Sequence, residues 1–444
     1  MPMATPNRVW IGPIELNDGV RAVHFLTLVL IAFLCVPLMS KLQTMNAYVL
    51  AEHLLIPRSE MGTVSGNLMS VQEIAIILCI IPLGMLVDKS GRRPILLLSI
   101  GIICLTFVFY PFAETFSQLA VIRGFFAAGV GGMGSVTITL ANDLTAEGSR
   151  GKVVGVYGAT IALGHALYGV TVVRIAEILV GQGWHPVAAG KAMFLTSALI
   201  AFCAWVAVWI GLRGWNVIPV SQRPPWRVLA TSGVRAARNP RIALSYLGMM
   251  TGRSDLAVKN TFLAAWASVA AADMGFSQAE ALARFGVIIA LSEIARIVWG
   301  LIFGVIMDRI LRITAFAIAM AIAGIGYCSM ALITNPLDYA MLPVMALLFM
   351  ATASSVNASY TLIGQEASAK ERGSVVAMSN LVTAFFIMWF MWYGGQKFDS
   401  VGPWAPFVLI GGYQFLLCLA AIWCRIVAPG GQAGSTSEYT PSKT

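Results

Sequence analysis

Long apolar runs follow one another along almost the whole chain. Twelve of them lie at about 22–48, 62–87, 94–113, 116–140, 151–180, 189–212, 241–272, 281–307, 313–334, 338–363, 373–396 and 404–427. Each holds roughly the 20 residues a helix needs to cross a hydrocarbon core. Pro, Gly and charged residues separate the runs, as helix ends require. The pattern predicts an all-α membrane protein with twelve transmembrane helices.

Composition strengthens that reading. Of 444 residues, 58% are hydrophobic and 11% charged, with mean hydropathy +0.80. Soluble domains carry about 25% charged residues. The net charge of +9 is spread over short loops between the runs. A nucleic-acid partner is not expected, because such a binder gathers its charge on one element. The seven cysteines all lie inside apolar runs without a CxxC pair, so neither a disulfide framework nor a metal site is expected. Residues 1–20, with Arg8, Glu15 and Asp18, lack the apolar core of a cleavable signal.

Lys and Arg then set the orientation. With the N-terminus in the cytoplasm, the inner connections hold Lys89, Arg92, Arg93, Arg150, Lys152, Arg309, Arg312, Lys370 and Arg372, while the outer ones hold little beyond Arg58, Lys191, Arg284 and Lys397. Cytoplasmic loops carry such an excess, so both termini are expected in the cytoplasm. The basic, Pro-containing stretch 213–240 reads as a linker between halves 1–212 and 241–428. The Gly-, Ser- and Thr-rich tail 429–444 reads as disordered.

Two short passages recur. Gly84, Asp88 and Lys89 after the second run are echoed by Gly304, Asp308 and Arg309 after the eighth. Arg150 and Gly151 opening the fifth run are echoed by Arg372 and Gly373 opening the eleventh. The offsets, 220 and 222 residues, agree closely enough to indicate a duplicated six-helix unit. The chain resembles the major facilitator superfamily at this point. The family's loop signature, G-x-x-x-D-[RK]-x-G-[RK]-[RK], is met at every position of residues 84–93.

Elementary physics suggests what that loop does. Gly84 permits close helix approach. Asp88 suits the positive N-terminus of the eleventh helix near Gly373. Arg92 is placed to pair with Asp143 at the inner end of the fourth. The resemblance implies that Gly84, Asp88, Arg92, Asp143 and Asp308 gate the cytoplasmic side. Arg93 is expected to set topology only. Leu119 and Arg123 resemble a second family motif, although Phe126 and Ala127 stand where Gln-Gly is expected. In the fifth helix Gly155, Gly158, Gly164 and Gly169 resemble an exporter motif, with Tyr168 and Gly169 in place of Gly-Pro.

Ionisable residues at membrane depth are costly and default to function. Proton-coupling candidates are Asp255, Glu73, Glu293 and His165. Substrate-cavity candidates are Arg123, Arg253, Lys259, Arg296, Asn357 and Tyr360. The i,i+4 spacing predicts an Asp255–Lys259 pair, and the i,i+3 spacing a Glu293–Arg296 pair. Arg253 points elsewhere and needs another partner.

The function expected from this reading is secondary active transport by alternating access. Its first form is proton-coupled export of a small amphiphilic compound, with proton-coupled symport of an organic anion or metabolite as the alternative. A non-transporting sensor on the same fold is a third reading. The absence of a GxxxxGK[ST] loop excludes ATP-driven transport by this chain alone. No enzyme activity and no cofactor are expected. A monomer in the bilayer of a bacterial inner membrane completes the expectation.

Overall fold

In the computed structural model, residues 9–146, 149–214, 234–366 and 372–427 are described. Twelve long helices occupy them. The first six are α1 (Ala22–Tyr48), α2 (Met61–Ser90), α3 (Arg92–Phe109), α4 (Phe116–Leu144), α5 (Arg150–Val170) and α6 (Pro186–Gly211). The second six are α7 (Pro240–Ala270), α8 (Gln278–Arg309), α9 (Arg312–Cys328), α10 (Leu342–Glu366), α11 (Arg372–Ser400) and α12 (Ala405–Val427). Most of the linker read over 213–240 and all of the tail 429–444 lie outside the described residues.

Ten of the helices are long and apolar enough to cross a membrane. The two others are α7, with Arg253, Asp255 and Lys259 along it, and α11. Local chemistry sets several starts. Ser277 and Glu280 close a capping box on α8, Thr115 caps α4, and Asn239 caps α7 just before Pro240. The run read as one helix over 151–180 is broken. It ends as an α-helix at Val170, then passes through a 3-10 turn (Val172–Arg174) into a short helix, Ile175–Gly181. Hydropathy continues across this break, so the apolar pattern does not reveal it.

The helices pack as two groups of six. In the first, α3 lies against α4 and α6, and α1 against α5 and α6. In the second, α9 lies against α10 and α12, and α8 against α10. Between the groups, α2 faces α11 and α5 faces α8.

These cross-group seams are tight at the end away from the chain termini, the distal end. Gly62, Gly66 and Ser70 recur every four residues and so line one face of α2. A side chain at Gly66 would collide with the Met391 carbonyl of α11, and one at Gly395 with the Gly62 carbonyl. The Ser70 hydroxyl donates to the Met388 carbonyl at 2.8 Å. On the other seam, Gly169 of α5 and Gly286 of α8 meet backbone to backbone. Small residues permit this approach between membrane helices.

Toward the termini end α5 and α8 pack less closely: Gly155 and Gly158 of α5 and Gly304 of α8 have nothing within 4 Å of where a side chain would begin. Cross-group hydrogen bonds are seen on α2, at Gly62, Thr63, Ser70 and Glu73. Among the described residues the two groups are thus fastened most tightly at the distal end.

A small hairpin completes the termini end. Its strands are β1 (Trp10–Ile11) and β2 (Ile14–Glu15). It is tied to the α4–α5 connection: the Glu15 amide donates to Ser149 Oγ at 3.0 Å, Asn17 Nδ2 to the Asp143 carbonyl at 2.9 Å, and Lys152 Nζ to the Pro13 carbonyl at 2.8 Å.

Candidate functional site

The dense charges read from the sequence converge where the two helix groups face each other. Lys259 of α7 reaches Glu293 of α8, Nζ to Oε1 3.2 Å, and its ammonium sits 3.7 Å over the Phe349 ring centroid of α10. Arg296, one turn further along α8, binds the second oxygen of the same carboxylate. The expected Glu293–Arg296 pair is present.

The expected Asp255–Lys259 pair is not made. Asp255 is fully buried and accepts from Ser355 Oγ of α10 and from Gln414 Nε2 of α12 at 2.9 Å. Helical spacing allows the i,i+4 contact, but each side chain finds a closer partner on a neighbouring helix. Asp255 is thereby held inside the second group by neutral donors.

Arg253 finds its partner across the interface, in Glu73 of α2 at 3.5 Å. Arg123 is buried in the first group at 2% exposure with neutral partners. It donates to Tyr110 Oη at 3.0 Å and to Gln72 Oε1 at 2.9 Å, and the Tyr110 hydroxyl in turn bonds Asn46. His165 of α5 has Nδ1 2.9 Å from the Ile161 carbonyl and Nε2 2.8 Å from Ser40 Oγ. The carbonyl can only accept, so Nδ1 carries a proton, and the Ser40 hydroxyl lies between Nε2 and the Pro37 carbonyl at 3.1 Å. Asn357 lies beside Gly300 of α8, and Tyr360 is half-exposed; neither touches the charged cluster.

One residue escapes the sequence reasoning. Lys41 of α1 is 96% buried, at 4% exposure, and makes no ion pair among the described residues. The charges that act on it are Glu293 and Lys259. Its ammonium lies against Gly169, immediately beneath the Gly169–Gly286 contact. Lys259 and Arg296 thus occupy Glu293, while Lys41 and His165 lie near it without an ion pair among the described residues. Among the described residues, no group of three or more His, Cys, Asp and Glu side chains is arranged to hold a metal ion.

Of the residues expected to gate, Arg92 and Asp143 are brought together, Nε to Oδ2 2.6 Å. The side chains of Gly84, Asp88 and Asp308 lie outside the described residues. Arg93 donates to the Trp209 carbonyl at 2.8 Å and stacks on that ring.

The family model described as Major Facilitator Superfamily matches residues 29–391. The chain belongs to the major facilitator superfamily. It is 27% identical to the magnetosome protein MamH of Paramagnetospirillum magneticum over 89% of this chain and 91% of that protein. It is 22% identical to MamZ of the same organism over 82% of this chain, and the match spans 56% of that longer protein. Among solved structures, an inward-facing, unoccupied bacterial homologue of the human lysosomal transporter Spinster aligns with TM-score 0.66 at 17% identity, covering 91% of this chain and 99% of the other. The D-xylose–proton symporter aligns with TM-score 0.64 at 14% identity over 90% of this chain and 95% of the other. These structural likenesses establish the superfamily fold.

The distal contact between α2 and α11 has its own fastening. Asp399, at the last turn of α11, accepts from the Gly62 amide at 2.9 Å and the Thr63 amide at 2.7 Å. These are free N–H groups of the first turn of α2, and a carboxylate there also meets the positive helix end. Asp399→Ala removes two charge-assisted bonds at a helix start, a loss of about 1–2 kcal/mol. The distal-open population should rise roughly tenfold. Distances between spin labels at Arg58 and Ser400 measure this; an unchanged distribution would rule the fastening out.

Proposed function

We propose that this superfamily member is a proton-coupled symporter of a small organic anion, with Glu293 as the proton site and Lys259 and Arg296 as the anion site. The observation behind this reading is that one carboxylate occupies both cations. In that state Glu293 stands in for the substrate's own carboxylate. An incoming anion takes the two cations from it. A displaced glutamate left charged in a low-dielectric site would be very costly, so it takes up a proton. Proton and anion therefore bind together and leave together, and the coupling is reciprocal. The tight distal seam supports access to the site from the termini end in this state. The cationic lining gives this alternative more support than amphiphile export.

Protonation strengthens anion binding on this reading, so affinity rises as pH falls. The charged and titratable groups facing Glu293 are Lys259, Arg296, Lys41 and His165. Purified carrier in proteoliposomes, with an imposed pH gradient and labelled lactate, succinate or citrate, tests it. Wild type should accumulate anion on the alkaline side. Glu293→Gln, permanently neutral, should exchange anion without response to pH, whereas His165→Gln should keep the response. Gradient-driven accumulation by Glu293→Gln would overturn the assignment.

The orientation expected from the charge bias puts the termini end in the cytoplasm. The match to MamH along nearly all of both chains leads us to propose a magnetosome membrane as the location, testable by fractionating a tagged chain. A single chain holds the complete cluster, so a monomer suffices.

A further inference from the structure

We infer that the substrate is an organic molecule with two or more acidic groups, gripped between Lys41 on the first helix group and Lys259 and Arg296 on the second. This deepens the reading of an anion symporter and rests on it. The charges at one buried place do not balance. Lys259 and Arg296 both bind Glu293, and Lys41, buried beside them at the Gly169–Gly286 contact, has no ion-pair partner among the described residues. Even with Asp255, whose charge also reaches Lys259, one positive charge remains uncompensated.

The other carboxylates at this depth are engaged elsewhere. Asp255 takes its hydrogen bonds from Ser355 and Gln414 within the second group, and its charge reaches Lys259 rather than Lys41. Glu73 is paired with Arg253. His165, held by the Ile161 carbonyl and Ser40, adds no negative charge. The C-terminal carbonyls of α5 near Gly169 lend Lys41 about half a negative charge. That offsets part of the excess and leaves the rest for a ligand. A buried ammonium without a counter-ion is expensive, and a second acidic group on the substrate supplies one.

The placement carries a further consequence. Lys259 and Arg296 bind the same carboxylate from one side, whereas Lys41 comes from α1, against the distal seam at Gly169. A substrate acid at Lys41 and another at Lys259 and Arg296 join the two groups. A monoacid occupies one side only.

The test compares lactate, succinate, citrate and glycerol 3-phosphate as competitors and substrates of full-length carrier in proteoliposomes. Wild type should prefer the polyacids to lactate by tenfold or more. Succinate and citrate separate carboxylates from the phosphate group of glycerol 3-phosphate. Lys41→Met should lose at least tenfold in succinate affinity with lactate affinity unchanged, and Lys41→Arg should retain the preference. Both variants are checked for wild-type thermal stability, and Lys41→Arg reports on the charge even if Lys41→Met fails to fold. Equal loss for lactate and succinate in Lys41→Met, or a wild type that favours lactate, would overturn the inference while leaving the anion symporter intact. Transport of none of the four acids by wild type would overturn both.

Discussion

A Gly66→Leu carrier is expected to lose turnover by roughly 10- to 100-fold while still binding its anion. The α2 backbone touches the α11 backbone at this glycine, where even a Cβ would meet the Met391 carbonyl. No side-chain rearrangement relieves a clash with backbone, and overpacking of this kind costs about 1–3 kcal/mol or more. The cost falls only on the distally closed form, so the distal-open form gains by that amount. Spin labels at Arg58 and Ser400 should show one long distance where wild type shows a short one. Turnover within a factor of two of wild type would show that the seam need not close this tightly. Asp399→Ala acts on the same equilibrium more mildly, because it removes a bond without creating an obstruction.

Lys259→Met is the second large effect. It strips one of two cations from a buried carboxylate and leaves its aromatic partner Phe349 facing a thioether. Breaking a buried pair by removing one member costs about 3–5 kcal/mol. A lower thermal midpoint in detergent and loss of anion binding should appear together. The double variant Lys259→Met with Glu293→Gln separates them. With both charges gone, stability should recover, whereas anion binding should not. Recovery of transport in the double variant would mean that the pair is structural only.

Much of this architecture was legible along the chain. The first apolar run coincides with α1, and most other boundaries fall within a few residues, because bilayer thickness fixes helix length and loop charges punctuate it. The Arg92–Asp143 contact could be read too, from a motif with fixed spacing. What could not be read was the partner on another helix. The i,i+4 rule sees one cylinder at a time, so it joined Asp255 to Lys259 when Glu293, Ser355 and Gln414 stood closer in space. Lys41 sits seven residues from the end of α1, where a long side chain ordinarily snorkels to the interface. Only the fold shows that it turns inward. Asp399 reads as a loop-end residue until α2 is placed against it. The stripe Gly62, Gly66 and Ser70 was visible as small residues at helical spacing, but not the helix it meets.

The N-terminal hairpin ties the start of the chain to the α4–α5 connection, through the backbone of Asp143 itself. The Arg92–Asp143 pair is thus held from both sides, by α3 and by the segment Val9–Asn17. Anything fused to or docked on the hairpin is mechanically linked to the Arg92–Asp143 pair. A reporter domain joined close to Val9 will therefore strain this tie, and the hairpin is accordingly a handle by which another molecule can reach the Arg92–Asp143 pair from outside the bundle.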